Sequence, residues 1–140
     1  MASSMRCDIV SAEKEIFSGD VTMVVATGIL GELGIMPGHT PLLTGLKPCT
    51  VRLKFEDGSE EPFYVSGGFL EVQPHVVTIL ADAAEHAADL DEAAVLKAQE
   101  DAEKAMSDQA ADVDLSRAAA MLADATARQK TVEELKKRRS

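Results

Sequence analysis

The chain contains no tryptophan, one tyrosine and four phenylalanines in 140 residues, too few aromatic groups to line a carbohydrate or peptide cleft as well as a core. It also lacks a surplus of positive charge: 14 Lys and Arg stand against 24 Asp and Glu, for a formal net charge of −10. Without spare cations to neutralise phosphates, nucleic acid is excluded as the main partner. No window approaches about 18 uninterrupted apolar residues, and the start, MASSMRCDIV, has neither the basic residues nor the apolar run of a signal peptide. The expectation is a soluble protein that stays where it is made. Cysteine is scarce too. Cys7 and Cys49 show no CxxC spacing and lie in alternating apolar runs, so buried or half-buried reduced thiols are expected, not a disulfide framework.

Glycine and proline are absent after Ala81, and this divides the chain. Before that point, Met5 to Val10, Val21 to Ala26, Thr50 to Phe55, Phe63 to Ser66, Phe69 to Val72 and Val76 to Leu80 are rich in β-branched and aromatic residues and are separated by Gly, Pro and Asp signals. Val51, Leu53 and Phe55 share one face and Arg52 and Lys54 the other, the period of a half-buried antiparallel strand. Asp57-Gly58 supplies hairpin-turn chemistry. Short strands at this spacing predict an antiparallel β-sandwich or barrel.

Beyond Ala81, Ala, Glu, Lys, Leu and Asp dominate, a helical composition. Asp89 suits an N-cap with Glu92 at the third helical position, and Leu90, Ala94, Ala98, Ala102 and Met106 follow at four-residue steps. A helix of about 17 residues is predicted. Asp112 or Asp114 would cap a second helix with a seam of Leu115, Ala118, Leu122, Ala125, Gln129, Val132 and Leu135, and the polar link Ser107 to Asp112 makes the two an antiparallel hairpin. A buried alanine methyl is worth about 0.8 kcal/mol against roughly 1.5 to 3 for a Leu or Ile, so a weakly held hairpin is expected. Lys136, Lys137, Arg138 and Arg139 end it, where cations complement the helix dipole. The fold class read from these patterns is a two-part α+β chain, with a β-sandwich in residues 1–86 and a helical hairpin in residues 87–140.

Catalytic chemistry finds little support. Gly28, Gly31 and Gly34 follow a strand, but no helix pattern and no Gly-Lys-Ser/Thr comes after them. The three histidines stand apart, none in HxxxH or HExxH spacing, and Ser66-Gly67-Gly68 is not a nucleophile elbow. No metal site and no cofactor is expected. The densest special stretch is GELGIMPGHTP, residues 31–41, where three glycines and two prolines predict a rigid irregular connection. Rigidity alone does not explain the side chains of Glu32, Met36 and His39, which suit a docking surface.

The runs Asp8 to Glu13 with Ile16 to Gly19, GELGIMPGHTPLLT (31–44), Val65 to Pro74, Val77 to Asp82 and Asp89 to Ala93 resemble, in order and over nearly the whole chain, the epsilon subunit of bacterial F-type ATP synthase. The resemblance implies a non-catalytic subunit of the rotating central stalk: a β-sandwich bound to the gamma subunit, a loop resting on the c-subunit ring, and a helical hairpin that inhibits ATP hydrolysis by extending among the catalytic alpha and beta subunits. By position it places Glu32, Met36 and His39 at the ring and Ser11 and Thr44 at the gamma contact. Lys136 to Arg139 become a regulatory tail directed at acidic loops of the catalytic subunits. The implied location is the cytoplasmic side of the bacterial inner membrane, reached through the complex alone.

One departure concerns nucleotide. Members of that family that bind ATP carry an Ile/Leu-Asp-x-x-Arg-Ala motif. This chain keeps Leu90 and Asp91 but has Ala94 and Val95 in the last two places, and although Arg117 and Arg128 stand in matching positions, Asp124 replaces another cation. Losing a guanidinium and gaining a carboxylate both oppose a triphosphate, which predicts no tight ATP binding. Two other readings compete: a β-sandwich binding module dimerised by its hairpin, which the shortage of aromatics disfavours, and a small enzyme built on His39, which has no partner residue in the sequence.

Overall fold

The structure, a computed structural model, describes residues 4–107 and 115–139. Ten strands come first: β1 (Met5–Ser11), β2 (Glu15–Val21), β3 (Met23–Gly28), β4 (Gly31–Ile35), β5 (Leu42–Leu46), β6 (Cys49–Lys54), β7 (Glu60–Val65), β8 (Gly68–Val72), β9 (Val76–Ala81) and β10 (Ala84–His86). A single 3-10 turn, Ala87–Asp89, leads to α1 (Glu92–Ser107) and α2 (Leu115–Arg139). The sheet runs β10-β7-β6-β3-β5-β8-β9-β1-β2, with β4 paired to β3. Its two halves meet where Gly28 of β3 pairs with Leu46 of β5, a corner held by the Ile29 amide on the Gly45 carbonyl (3.0 Å) and the Lys47 amide on that of Thr27 (3.1 Å). The ladders are antiparallel except β1 with β9, which is parallel.

Alternation drives the folding of this sheet. Cys7 and Ile9, Cys49, Val51 and Leu53, Phe63 and Val65, Leu70 and Val72, and Val77 and Ile79 all turn into one core between the halves. The Asp57-Gly58 turn forms as expected: Gly58 takes φ 87°, and the Ser59 hydroxyl and amide hold the Asp57 carboxyl below its ordinary pKa range. Both cysteines are free and buried. Burial, with the Asp8 charge beside it, pushes the Cys7 thiol up to about 12, and burial also raises Cys49.

Several expectations need correction. Val21 to Ala26 is not one strand: the chain bends at Thr22, whose amide bonds to the Lys54 carbonyl (2.7 Å), so β2 ends and β3 begins there. β2, β4, β5 and β10 carry no clear strand pattern in the sequence, because glycines or charges interrupt their apolar alternation. Residues 31–35 are strand β4, not irregular connection, since pairing with β3 from Val24↔Ile35 to Gly28↔Gly31 supplies the ladder that isolated glycines obscure.

The helix cap also shifts. Asp91, not Asp89, caps α1: its Oδ1 accepts the Ala93 and Ala94 amides at 3.0 and 3.3 Å, because Asp89 is taken up in the 3-10 turn. Val95 and Ala102 are buried on α1, whereas Ala94 and Ala98 are exposed. Valine offers two more carbons than alanine, each worth about 0.8 kcal/mol when buried, so the helix turns that side inward. The proposed caps Asp112 and Asp114 and most of the link Ser107 to Asp112 lie outside the described residues. The antiparallel hairpin itself holds, with Lys136 Nζ 3.0 Å from Glu92 and the Thr126 hydroxyl on Gln99 at 3.5 Å.

α2 buries a second face that the alanine seam did not reveal. Ala127 packs with Tyr64, Leu90, Val95 and Val132 in a second apolar cluster. The fully buried Thr131 hydroxyl donates to the Ala127 carbonyl (2.8 Å) and meets the Thr50 hydroxyl of β6 (2.8 Å). The helix is therefore tied to the sheet as well as to α1.

At the β7–β8 crossing, Gly68 has φ 135°, and a Cβ there would collide with the Leu80 carbonyl oxygen of β9. Both the conformation and the close approach demand glycine. Gly68→Ala is expected to destabilise the chain by roughly 3 kcal/mol or more, read as a lower urea midpoint at unchanged slope.

Candidate functional site

Three surfaces carry the residues singled out from the sequence. The first is the flank of β4. Leu33 and Ile35 pack on the core, so Glu32, Gly34 and Met36 share the opposite face, all exposed. Glu32 lies 3.9 Å from Arg52, and both border a groove of about 730 Å³ beneath α2, with Thr50, Met106, Leu122 and Lys137. His39 sits past the other end of the strand, in a turn where Gly38 (φ 86°) bonds through its amide to the Pro74 carbonyl (2.9 Å) and the His39 amide bonds to that of Met36 (3.1 Å). Its ring is committed locally, Nδ1 donating to the Thr40 carbonyl at 2.7 Å. Glu32 and His39 thus mark the two ends of one flank and do not form a catalytic cluster. Among the described residues no group of His, Cys, Asp and Glu is placed to hold a metal ion.

The second surface is the outer face of β5, β8 and β9. Leu43, Phe69 and Leu80 are 68, 57 and 56 % exposed. Phe69 pairs with Leu80 and with Gly45, and Leu80 pairs with Val10. Ser11, the last residue of β1, has its hydroxyl 3.3 Å from the Lys14 carbonyl and pairs with Ala81. Thr44 lies beside Leu43 and pairs with the buried Leu70. The two expected contact residues therefore sit on strands that carry an apolar patch which sequence reasoning missed, but their pairing with buried Leu70 and Ala81 puts their side chains on the opposite face. The signal of the patch was present: Leu42-Leu43, Phe69-Leu70 and Ile79-Leu80 are apolar in both strand phases, so each strand needs a partner on both faces.

The third is the clasp between α2 and the sheet. The Arg128 guanidinium lies 4.3 Å from the centroid of the Tyr64 ring, donates from Nε to Asp124 (3.1 Å) and from Nη1 to Glu85 of β10 (3.5 Å). The Tyr64 hydroxyl donates to the same Asp124 carboxylate. Leu90, Asp91 and Arg128 do come together, around a depression of about 380 Å³ whose other walls include Glu85, Asp89, Ala94 and Ala98. Arg117 is about three turns away along α2. Of the tail, Lys136 and Lys137 are exposed, and the backbone of α2 continues through Arg138 and Arg139.

Residues 4–87 match the family described as ATP synthase, Delta/Epsilon chain, beta-sandwich domain. The chain belongs to this family. A relative from Nitrosococcus oceani, named ATP synthase epsilon chain, is 56% identical over 138 residues, 99% of each chain. One of the same name from Chromohalobacter salexigens is 55% identical over 138 residues, covering 99% of this chain and 98% of its own length. Among solved structures, a chain of the Euglena gracilis mitochondrial ATP synthase, described as OSCP/F1/c-ring in rotational state 1, superposes with a TM-score of 0.82 at 21% identity over 93% of this chain and 82% of its own. A chain of the Tetrahymena thermophila central stalk and c-ring gives 0.51 at 17% identity over 61% and 68%. These two share the fold. Among the described residues no helix is long and apolar enough to cross a membrane.

Against the family's nucleotide motif, the depression beside Arg128 has the wrong electrostatics. Three carboxylates line it, and its one guanidinium already serves two acidic partners and an aromatic ring. Isothermal titration with MgATP is expected to show binding no tighter than about 1 mM, or roughly 4 kcal/mol. A micromolar dissociation constant would overturn this reading of the site.

Proposed function

We propose that the chain is an accessory, non-catalytic subunit of an ATP synthase central stalk, in which residues 1–86 join the catalytic part to the c-subunit ring and residues 87–140 restrain ATP hydrolysis. The observation that carries the reading is the full-length 55–56% identity to relatives named ATP synthase epsilon chain. The patch of Leu43, Phe69 and Leu80 is the surface proposed for the gamma subunit, with Ser11 and Thr44 contributing from the ends and neighbouring positions of the same strands: an apolar strip on a rigid sheet gives a stalk joint that transmits torque. The flank of Glu32, Met36 and His39 is proposed for the ring. The location proposed is peripheral, on the cytoplasmic side of a bacterial inner membrane.

Regulation belongs to the hairpin in this reading. Docked, α2 is held by the Tyr64 cluster and the clasp; extended, Lys136, Lys137, Arg138 and Arg139 would reach acidic loops of the alpha and beta subunits. A partner that binds one state better shifts the population by its differential affinity. A sandwich module dimerised by its hairpin has less support, because α2 already buries two faces within its own chain.

In the reconstituted complex, truncation after Asp89 is expected to preserve assembly and raise ATP hydrolysis, and changing residues 136–139 to Glu to give part of the same release, with the wild-type restraint weakening at high salt. A truncated complex that assembles but hydrolyses ATP no faster removes the inhibitory role. Separately, Glu32→Ala with His39→Ala is expected to leave the fold intact, since the Glu32–Arg52 pair is exposed and worth at most about 1 kcal/mol, while proton pumping per ATP falls. Normal coupling in that double variant, with a ring contact mapped elsewhere, refutes the docking assignment.

A further inference from the structure

The two end strands of the sheet path, β10 and β2, are bridged by a side chain at the root of the helical hairpin. His86, the last residue of β10, directs Nδ1 to Glu61 Oε1 of β7 (2.8 Å) and Nε2 to the Ile16 carbonyl of β2 (3.1 Å). The Phe63 ring covers it, centroids 4.6 Å apart. Both nitrogens therefore face acceptors, and neither acceptor can donate when Glu61 is ionised. A neutral imidazole has one N–H and satisfies only one of them. Both contacts are hydrogen bonds only when each nitrogen carries a proton.

We propose that His86 is a protonation-dependent latch that closes the seam between β10 and β2 and thereby braces the root of the hairpin. With one proton lost, the charge-assisted bond to Glu61 is the stronger and keeps Nδ1–H. The Nε2 lone pair then opposes the Ile16 carbonyl, and the seam is released. The closed seam holds one proton more than the open one, so closure is favoured at low pH and lost as pH rises. Release at this point reaches the hairpin directly, because the 3-10 turn begins at the next residue, Ala87, and Leu90 beyond it packs with Tyr64, Val95, Ala127 and Val132. The surrounding charges leave the latch to Glu61. Glu85, next in β10, is turned to Arg128 of α2. Lys54 and Glu60 pair across β6 and β7 at 3.8 Å, and Glu15, beside Ile16 on β2, is exposed.

The test is made on the full isolated chain by long-range ¹H–¹⁵N correlation of the His86 ring between about pH 5 and about pH 9, with amide hydrogen exchange of β10 and the 3-10 turn at each pH. The expected result is a doubly protonated ring at the acid end that becomes the Nδ1–H tautomer on titration, while exchange at residues 84–90 speeds up by about fivefold beyond its intrinsic pH dependence, the loss of roughly one net hydrogen bond. Glu61→Gln, which keeps an acceptor but removes the charge, is expected to move the transition to lower pH. A ring that titrates to the Nε2–H tautomer, exchange that does not follow the titration, or a transition unmoved by Glu61→Gln overturns the latch.

Discussion

Strand β7 is buried on both sides, and the rest of the molecule depends on that. Phe63 and Val65 fill the sandwich core while Tyr64, between them, is equally inaccessible under α2. A single strand thus belongs to two apolar clusters. An aromatic ring of this size left exposed on a sheet would cost on the order of 2 kcal/mol relative to burial, so the sandwich recruits a cover and the hairpin supplies it. Tyr64 adds a polar tip that reaches Asp124, and its ring face receives Arg128.

This arrangement divides the chain's chemistry between anchoring and recognition. The polar groups that could have served a ligand are engaged internally: Arg128 by Asp124, Glu85 and Tyr64, His39 by the Thr40 carbonyl, His86 by Glu61 and Ile16. Outward on rigid strands stands an apolar group, Leu43, Phe69 and Leu80. Such a surface suits a large partner, because shape and area determine its binding.

The same arrangement makes the hairpin's docking modular. One contact is apolar, the cluster of Tyr64, Leu90, Val95, Ala127 and Val132. Another is a threonine pair, Thr50 with Thr131. The third is ionic and half-exposed, through Arg128. These respond to different conditions, since salt screens the ionic contact and leaves the apolar one in place. An element held by several modest interactions is suited to a population shift by a partner.

By itself the sequence determined that a strand-rich part precedes a helical one, the strands with clean alternation such as β6, the Asp57-Gly58 turn and the antiparallel hairpin, because period and turn chemistry are local properties. It also carried the family, through long motifs such as GELGIMPGHTPLLT. Tertiary structure alone decided that Gly31 to Ile35 pairs as a strand, that Asp91 caps α1 in place of Asp89, that Val95 and not Ala94 faces inward, and that α2 covers Tyr64. Each of those outcomes depends on a partner distant in the chain: a ladder, a competing turn, or a second apolar surface. A periodic pattern states that a face must be buried, but the free energy of burying it is set by whatever the fold brings opposite.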